Sequence, residues 1–356
     1  MNTIDYVYRF DPKNPSVKSL PSDAEVAKQR LEEGNQMFAA WMESCRVGSF
    51  SSSEQPRYIV QCNGVEVGMV RTEGQLPKQM PFAVVVGCSD ARVPTEMIFG
   101  QGFNDLFVIR VAGNVLGDEC LGSVGFALNV LSESVKVMVM LGHSRCGAVT
   151  AAVDSYLQPL KFWSKSTPNT LRLIMQRLYM PVREAANGLK EVWGTDVRNR
   201  PGYREALIES AVLLNAAQTA YDLRTEVERA GKWEIEVLWG AYNLFTHKVG
   251  VPVPGIAREG STLIENSGQL AFAPSNPREF SALSARMAEA IMPLMQYHAE
   301  HPSMTLQDLA GARTASGSPI PPAAPAAETP APTEPASAAP ARPNGAPPAG
   351  RRSSRR

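Results

Sequence analysis

VVVGCSDARVPTE, the stretch from Val84 to Glu96, decides the fold and raises the main chemical question. Its first residues are apolar and β-branched, a pattern that predicts a buried strand. The strand runs directly into a thiol, a carboxylate and a guanidinium, at Cys88, Asp90 and Arg92. The residues alone leave three interpretations of Cys88 open, namely a packed core thiol, a nucleophile or a metal ligand.

Strand and helix signals alternate on the C-terminal side of this stretch. The strand-like runs are FAVVVGC, DLFVIRVAGN, VKVMVMLGHSRC and WEIEVLWGAYNLFTHKVG. Between them lie the helix-like segments PTEMIFGQG and LGSVGFALNVLSES and a long helical region from Pro168 to Ala230. Nearly continuous apolar strands joined by helical crossovers predict an α/β fold, with a mostly parallel central sheet flanked by helices.

The segments around this core carry their own signals. SDAEVAKQRLEEGNQMFAAWMES predicts an N-terminal helical arm, capped by Ser22 with Glu25 as its capping-box partner and interrupted at Gly34 and Asn35. RYIVQCNGVEVGMVRTEG predicts a hairpin that turns at its Asn-Gly pair. A single amphipathic C-terminal helix is expected to start near Pro277.

The C-terminal tail differs in composition from the rest of the chain. From Gly311 it consists almost entirely of Ala, Pro, Ser, Thr and Gly, and it ends in the basic tip RRSSRR. This composition predicts a disordered segment of polyproline-like character, either a solubilising tail or a docking element for an acidic partner. We expect an N-terminal extension (1–23), a main domain (24–275), a C-terminal helix (276–310) and the tail (311–356).

Composition argues against several classes of function. Among 356 residues, Lys+Arg and Asp+Glu each number 35, so no net charge draws the chain to nucleic acid or to an anionic membrane. The N-terminus lacks the apolar run of a signal peptide, and no apolar stretch is long enough to span a bilayer. We therefore expect a cytoplasmic protein with no nucleic-acid or membrane partner. The five cysteines should be reduced thiols.

Two of the predicted strands end in side chains that bind metals. Cys88 ends one strand, and His143 and Cys146 end another as H-x-x-C. Because the carboxyl ends of parallel strands meet at one edge of a sheet, these three side chains are expected to meet there. Two thiolates and one imidazole form a ligand set of catalytic zinc with an open fourth position. A thiol nucleophile or inert thiols remain the alternatives on these grounds.

Three separated elements resemble the β-class carbonic anhydrases. CSDARVPTE, DLFVIRVAGNVLG and VMVMLGHSRCGAV agree in order and spacing with that family's C-x-D-x-R, R-x-A-G-N and H-x-x-C-G-A elements. The resemblance covers roughly residues 24–253. The chain departs from the family at Ala91, where many members have Ser, in longer segments near 44–74 and 158–202, and in its tail.

The resemblance implies a zinc enzyme. Zn²⁺ would be bound by the residues that match the family's ligands, Cys88, His143 and Cys146. The implied reaction is that of a carbonate dehydratase, a lyase, in which zinc-bound hydroxide hydrates carbon dioxide reversibly to bicarbonate and a proton. The smallest active unit would be a homodimer or a dimer-based oligomer.

Other residues acquire roles from the same resemblance. Asp90 and Arg92 match a catalytic dyad in which the arginine keeps the carboxylate ionised. In some members the matching Asp becomes a fourth zinc ligand. Gln101 matches a substrate-binding glutamine at a subunit boundary, and the alternative is a polar turn residue. His247 is a further candidate for proton transfer.

Two other functions stay open. One is hydrolysis of carbon disulfide or carbonyl sulfide on the same fold, with a similar zinc site and an altered access tunnel. The other is a non-catalytic zinc-containing scaffold or bicarbonate sensor. Asp90 and Arg92 argue against this last function, because a protein relieved of catalysis has no evident need for both.

Overall fold

The protein is described by a computed structural model over residues 4–10, 19–47, 57–62, 64, 76–163, 167–252 and 266–300. The strands in chain order are β1 (Asp5–Phe10), β2 (Arg57–Cys62), β3 (Ala83–Gly87), β4 (Leu106–Arg110), β5 (Val137–His143), β6 (Glu236–Tyr242), β7 (Val249–Gly250) and β8 (Ala271–Phe272). The helices are α1 (Ala24–Val47), α2 (Thr95–Ile98), α3 (Asp118–Val130), α4 (Gly147–Leu157), α5 (Pro159–Phe162), α6 (Asn169–Arg177), α7 (Tyr179–Trp193), α8 (Tyr203–Arg229), α9 (Pro277–Ala290) and α10 (Met292–Glu300).

Parallel strands form the centre of the main sheet. The strand order is β4-β3-β5-β6-β7, with β8 also paired to β6. β3 pairs in parallel with β4 and β5, and β5 pairs in parallel with β6, whereas β7 and β8 are antiparallel to β6. Every residue of β3 and β5 is buried, which explains why their sequences are continuously apolar. The predicted α/β fold with a mostly parallel sheet is confirmed.

Each face of this sheet has its own hydrophobic core. Along β3, Val84 and Val86 belong to one core, while Val85 belongs to the other. Residues of α3, α4, α7 and α8 fill the first core, and Leu31 and Phe38 of α1 fill the second. Alternate side chains of a strand point to opposite faces, so burial on both faces ties the register of β3 to two cores at once.

Helix α1 continues through Gly34 and Asn35, where the sequence predicted an interruption. A Cβ at Gly34 would lie 1.9 Å from the carbonyl oxygen of Phe99, so the glycine permits close packing against the residues after α2. Asn35 is 1% exposed, and it donates to the carbonyl of His247 at 2.9 Å and accepts from the N–H of Val249 at 2.7 Å. These two residues therefore attach α1 to the main domain.

The N-cap of α1 is Asp23, and the prediction of Ser22 was wrong. The Oδ1 of Asp23 accepts a hydrogen bond from the N–H of Val26 at 2.9 Å. The Ser22 hydroxyl donates instead to the Asp23 carboxylate at 2.7 Å. Because the helix begins at Ala24, Asp23 occupies the capping position, and its charged carboxylate is the stronger acceptor.

Strand β1 was not predicted. It pairs in parallel with β2 over its whole length, and Tyr6 stacks on Tyr58 with ring centroids 5.2 Å apart. The predicted hairpin falls partly outside the described residues, because residues 63 and 65–75 are not among them. Asp5 pairs with Arg57, 52 positions later in the chain. Local alternation of apolar and polar residues can indicate a strand, but it cannot indicate so distant a partner.

The predicted single C-terminal helix is two helices. α9 begins at Pro277 as expected, and Asn276 caps it by accepting from the N–H groups of Arg278 and Glu279 at 3.0 and 3.1 Å. A second helix, α10, begins at Met292. Pro293 explains the break, because it lacks an N–H and its ring excludes the carbonyl four residues earlier.

Other predicted features fall outside the described residues. These include the tail (311–356) and parts of the long segment near 44–74. The long segment near 158–202 is described except for residues 164–166, and it contains α5, α6 and α7. Across the described ranges, no helix combines the length and the apolar character that crossing a bilayer requires.

Replacing Gly34 by Ala should destabilise the protein. The new Cβ would collide with a backbone oxygen of Phe99, which cannot rotate away, so we expect a loss of at least about 1–3 kcal/mol in the free energy of unfolding. Urea unfolding followed by circular dichroism measures it. The control is Gly122→Ala in α3, where a Cβ meets nothing within 4 Å. It should be neutral or stabilising by up to about 1 kcal/mol. Equal stability of the two variants would contradict the packing argument.

Candidate metal centre

Two neighbouring strands bring the predicted ligands together. Cys88 directly follows β3, His143 is the last residue of β5, and Cys146 immediately precedes α4. Because β3 and β5 are parallel neighbours, their carboxyl ends lie at the same edge. The two sulfurs and a ring nitrogen of His143 all lie within 4.8 Å of one another, and all three residues are buried. We call these residues the ligand set. All five cysteines are free thiols in the structure.

The spacing and the protonation pattern of the ligand set fit a tetrahedral metal ion. The Sγ atoms of Cys88 and Cys146 are 3.9 Å apart. Two zinc–sulfur bonds of about 2.3 Å at a tetrahedral angle would separate the sulfurs by about 3.8 Å. The Nδ1 of His143 lies 3.0 Å from the carbonyl oxygen of Ser144, which can only accept, so Nδ1 carries the proton. Nε2 is buried without a hydrogen-bond partner, and its lone pair is available to a metal.

Hydrogen-bond donors around Cys88 favour its thiolate. The backbone N–H of Gly113 donates to the Cys88 Sγ at 3.3 Å. The Cys146 thiol lowers the pKa of Cys88 most, and backbone N–H groups lower it further, against the opposing effect of burial. The same contact with Cys88, together with burial, raises the pKa of Cys146. The ligand set alone therefore favours one thiolate and one thiol, and a bound cation would favour ionisation of both.

Arg110 and Gly113 support the segment that carries Cys88 and Asp90. The Nε of Arg110 donates to the carbonyl of Cys88 at 2.9 Å, and its Nη2 donates to the carbonyl of Asp90. Gly113 has a φ of +69°, and a Cβ there would lie 3.1 Å from that of Ala148. Sequence reasoning assigned no role to either residue, although both belong to the R-x-A-G-N element that it singled out.

Asp90 and Arg92 form a two-point ion pair beside the ligand set. The Nε and Nη2 of Arg92 donate to the two carboxylate oxygens at 3.0 and 2.7 Å, and its backbone N–H also donates, at 2.9 Å. The Arg92 side chain holds the pKa of Asp90 well below its usual range, despite partial burial. The Oδ2 of Asp90 lies 3.9 Å from the Nε2 of His143. An ionised carboxylate of fixed orientation thus lies beside the atoms that could bind a metal.

The structure gives Gln101 and His247 contacts within the fold. Gln101 is 2% exposed; its amide oxygen accepts from Arg30 at 3.0 Å and its amide nitrogen donates to the carbonyl of Phe99 at 2.6 Å. It lies against α1 rather than within the ligand set. The Nδ1 of His247 shares a 2.7 Å hydrogen bond with the hydroxyl of Tyr242, and burial lowers the pKa of this histidine.

Glu209 is a further residue at this site that sequence reasoning missed. Its carboxylate accepts the backbone N–H of Arg145, inside the turn between His143 and Cys146, at 3.0 Å. Glu209 lies on α8, far from the motifs in sequence, and its helix position resembles that of any partly exposed glutamate. No local pattern could have indicated the contact.

Comparison with known proteins identifies similar chains. Residues 83–239 match the family model described as carbonic anhydrase, a range that includes all three motifs. Carbonic anhydrase 2 of Mycobacterium tuberculosis is 51% identical over 135 residues, which cover 38% of this chain and 55% of that protein. A carbonic anhydrase of Mycolicibacterium smegmatis is 44% identical over 137 residues, 38% of this chain and 56% of that one. The resemblance inferred from the motifs is confirmed, and the matched region spans about half the length of these relatives.

Among solved structures, the β-carbonic anhydrase CafA of Aspergillus fumigatus is 22% identical to this chain. The alignment covers 59% of this chain and 84% of that one, with a TM-score of 0.37.

The ligand set should bind one zinc ion per chain, and losing one thiolate should weaken that binding. In Cys146→Ser a hydroxyl replaces the sulfur, and a neutral oxygen is a poor substitute for a thiolate on zinc. Chelator competition and elemental analysis of the purified protein measure affinity and content. Cys45→Ser, a half-buried thiol on α1, is the control and should bind zinc as the unmodified chain does. Full occupancy in Cys146→Ser with unchanged stability would remove this residue from the ligand set.

Proposed function

We propose that this protein hydrates carbon dioxide reversibly to bicarbonate and a proton, because residues 83–239 match the family model described as carbonic anhydrase. The observation that carries the proposal is the ligand set of two sulfurs and one imidazole with an ionised Asp90 at its edge. Three parts of the site would have separate roles. The ligand set would bind the metal, Asp90 would accept a hydrogen bond in a fixed orientation, and the Arg92 cation would keep Asp90 charged. The relatives' names supply the substrate, which the matched region alone would leave open.

We propose that Cys88, His143 and Cys146 hold a zinc ion. Their donor set has the softness and the spacing that zinc prefers, and the free lone pair of His143 supports this assignment. The chemistry that zinc supplies in such a site is Lewis acidity, which makes a coordinated water acidic enough to lose its proton near neutral pH. The Nδ1–H bond of His143 to the Ser144 carbonyl fixes the ring orientation and the tautomer that such binding needs.

Asp90 orients the reacting water in this proposal. Its carboxylate can accept a hydrogen bond from that water and so direct an oxygen lone pair towards carbon dioxide. Because Arg92 holds the pKa of Asp90 below its usual range, the carboxylate acts as an acceptor and is a poor store for the released proton. The two-point contact with Arg92 engages both carboxylate oxygens of Asp90, so Asp90 could become a fourth metal ligand only in competition with the arginine.

Asp90→Asn should retain zinc while the hydration rate falls. The substitution keeps the size of the side chain but removes its charge and replaces one acceptor by a donor, so a loss of about 100-fold or more in kcat is expected. Stopped-flow hydration with a pH indicator measures it. Asp154→Asn is a matched control, because Asp154 also accepts two hydrogen bonds from an arginine, Arg204, at 2.7 and 3.1 Å. Hydration at the unmodified rate in Asp90→Asn would make Asp90 a structural partner only.

The same assay separates this function from its alternatives. A chain that turns over carbonyl sulfide or carbon disulfide but not carbon dioxide would be a hydrolase on this fold. A chain that binds zinc and turns over none of them would be a scaffold or sensor. Asp90 and Arg92 favour an enzyme, because an oriented ionised carboxylate beside a metal site serves a reaction.

We also propose a cytoplasmic homodimer, or dimer-based oligomer, in which the tail has no part in catalysis. The cytoplasmic location rests on the composition of the chain, and cell fractionation tests it.

The boundary between the catalytic domain and the tail is proposed to lie after the C-terminal helices, because α9 packs against α7. The Nε1 of Trp193 in α7 donates to the carbonyl of Ala288 in α9 at 3.2 Å. The helical segment therefore belongs with the catalytic domain, while Gln101 remains a proposed substrate contact across subunits.

A chain that stops at Ala310 should fold, bind zinc and hydrate carbon dioxide as the full chain does, because the removed residues lack the side chains that build a core. Light scattering should give the same dimer-based mass for both chains, and stopped flow the same kcat. A fully active monomer at assay concentration would contradict the proposed assembly. Loss of turnover with zinc still bound would show that the boundary is misplaced.

A further inference from the structure

The turn that connects two members of the ligand set contains a conformationally unfavourable residue. β5 ends at His143 and α4 begins at Gly147, so the chain reverses within three residues. Arg145 adopts a φ of +54° in this turn. That left-handed region is disfavoured for residues with a Cβ and is usually occupied by Gly or Asn. The residue types of the turn therefore do not by themselves favour its shape.

Contacts from outside the turn hold this shape. The N–H of Ser144 donates to the carbonyl of Tyr242 at 2.9 Å, and the Ser144 hydroxyl accepts from the N–H of Leu244 at 3.0 Å. These bonds attach the first half of the turn to the end of β6. The N–H of Arg145 itself donates to the Oε1 of Glu209 at 3.0 Å. Arg145, the residue with the unfavourable conformation, is thus the one that is hydrogen-bonded to α8.

Glu209 is a rigidly placed acceptor. Its neighbours Ile208 and Ser210 are 6% and 1% exposed, because α8 packs against the sheet along much of its length. Burial of the carboxyl raises the pKa of Glu209, while the N–H and the charge of Arg145 lower it. A carboxyl group retains an acceptor oxygen whether or not it is protonated, so the bond from Arg145 does not require the charge.

We propose that Glu209 is a positioning residue for the metal centre. By accepting the N–H of Arg145 it keeps the turn in its left-handed form, and this form sets the separation of His143 from Cys146. Metal affinity then depends on a residue that touches neither the metal nor any ligand. The inference rests on the proposed function only because it takes zinc as the metal. It deepens that proposal by identifying Glu209 as a residue that maintains the geometry of the metal site.

A double-mutant cycle tests this role. Glu209→Ala removes the acceptor and should weaken zinc binding by about 10- to 100-fold, as loss of a supporting contact behind a metal ligand does. Glu209→Gln keeps an acceptor oxygen and should bind zinc nearly as the unmodified chain does. Arg145→Gly makes the left-handed turn favourable by itself, so adding it to Glu209→Ala should restore most of the affinity. Chelator competition measures zinc affinity in Glu209→Ala, Glu209→Gln, the double variant and Arg145→Gly alone, which should bind zinc as the unmodified chain does.

Glu205→Ala is the matched control, since this glutamate lies one turn earlier on α8 and pairs with Arg204 at 3.4 Å. It should leave zinc affinity unchanged. Thermal unfolding of each metal-free variant separates positioning from general stability. A purely structural Glu209 would lower the melting temperature with or without Arg145→Gly, and affinity would not recover in the double variant. That result, or full zinc affinity in Glu209→Ala, would overturn the inference.

A second readout needs neither metal nor turnover. The rate at which iodoacetamide alkylates Cys146 in the metal-free chain, read by mass spectrometry, should rise in Glu209→Ala and fall again when Arg145→Gly is added. Unchanged alkylation would overturn the inference, whether or not the unmodified chain binds zinc. Failure of the unmodified chain to bind zinc would instead remove the proposed function. If zinc affinity and alkylation follow the cycle but no carbon dioxide is hydrated, the proposed function fails and the role of Glu209 stands.

Discussion

The parallel register between β3 and β5 is the constraint on which the rest of the site depends. Gly87 pairs with Leu141, so Cys88, the first residue after β3, and His143, the last residue of β5, lie at one edge of the sheet. A slip of one residue would exchange the faces of every side chain on the strand. Each buried valine that lost its core would cost about 1.5–3 kcal/mol, so burial on two faces fixes the ligands more firmly than any contact at the site.

The site itself adds a second level of control through the backbone. Gly113 donates to a ligand sulfur, Arg110 holds two carbonyls of the Cys88–Asp90 segment, and Glu209 holds the turn before Cys146. A left-handed residue with a Cβ costs about 1–2 kcal/mol, and a hydrogen bond contributes about 0.5–1.5 kcal/mol, or about 1.5–3 kcal/mol where one partner is charged. The effects are of similar size, so the bond from Arg145 to Glu209 offsets much of the cost of the Arg145 conformation.

Sequence reasoning succeeded where the signal was local or periodic. Continuous apolar runs predicted β3 and β5, and the metal-binding side chains directly after them predicted a site that the structure brings together. It failed where the deciding contact was distant or a matter of one position. The pairing of β1 with β2 and the contact of Glu209 with Arg145 join segments more than 50 residues apart. The cap at Asp23 depended on where the helix began, which propensities locate only to within a few residues.

Arg92 is more exposed than Asp90, and this difference affects the two substrates of the proposed reaction differently. The Arg92 side chain is 57% exposed and that of Asp90 only 17%, so the pair presents its positive end to solvent. Carbon dioxide is uncharged and is not attracted by that end, whereas bicarbonate is an anion and is. Dissolved ions screen an exposed charge of this kind over about 10 Å at 0.1 M ionic strength. In the proposed reaction, the KM for bicarbonate would therefore depend on ionic strength more strongly than the KM for carbon dioxide, although one site would serve both substrates.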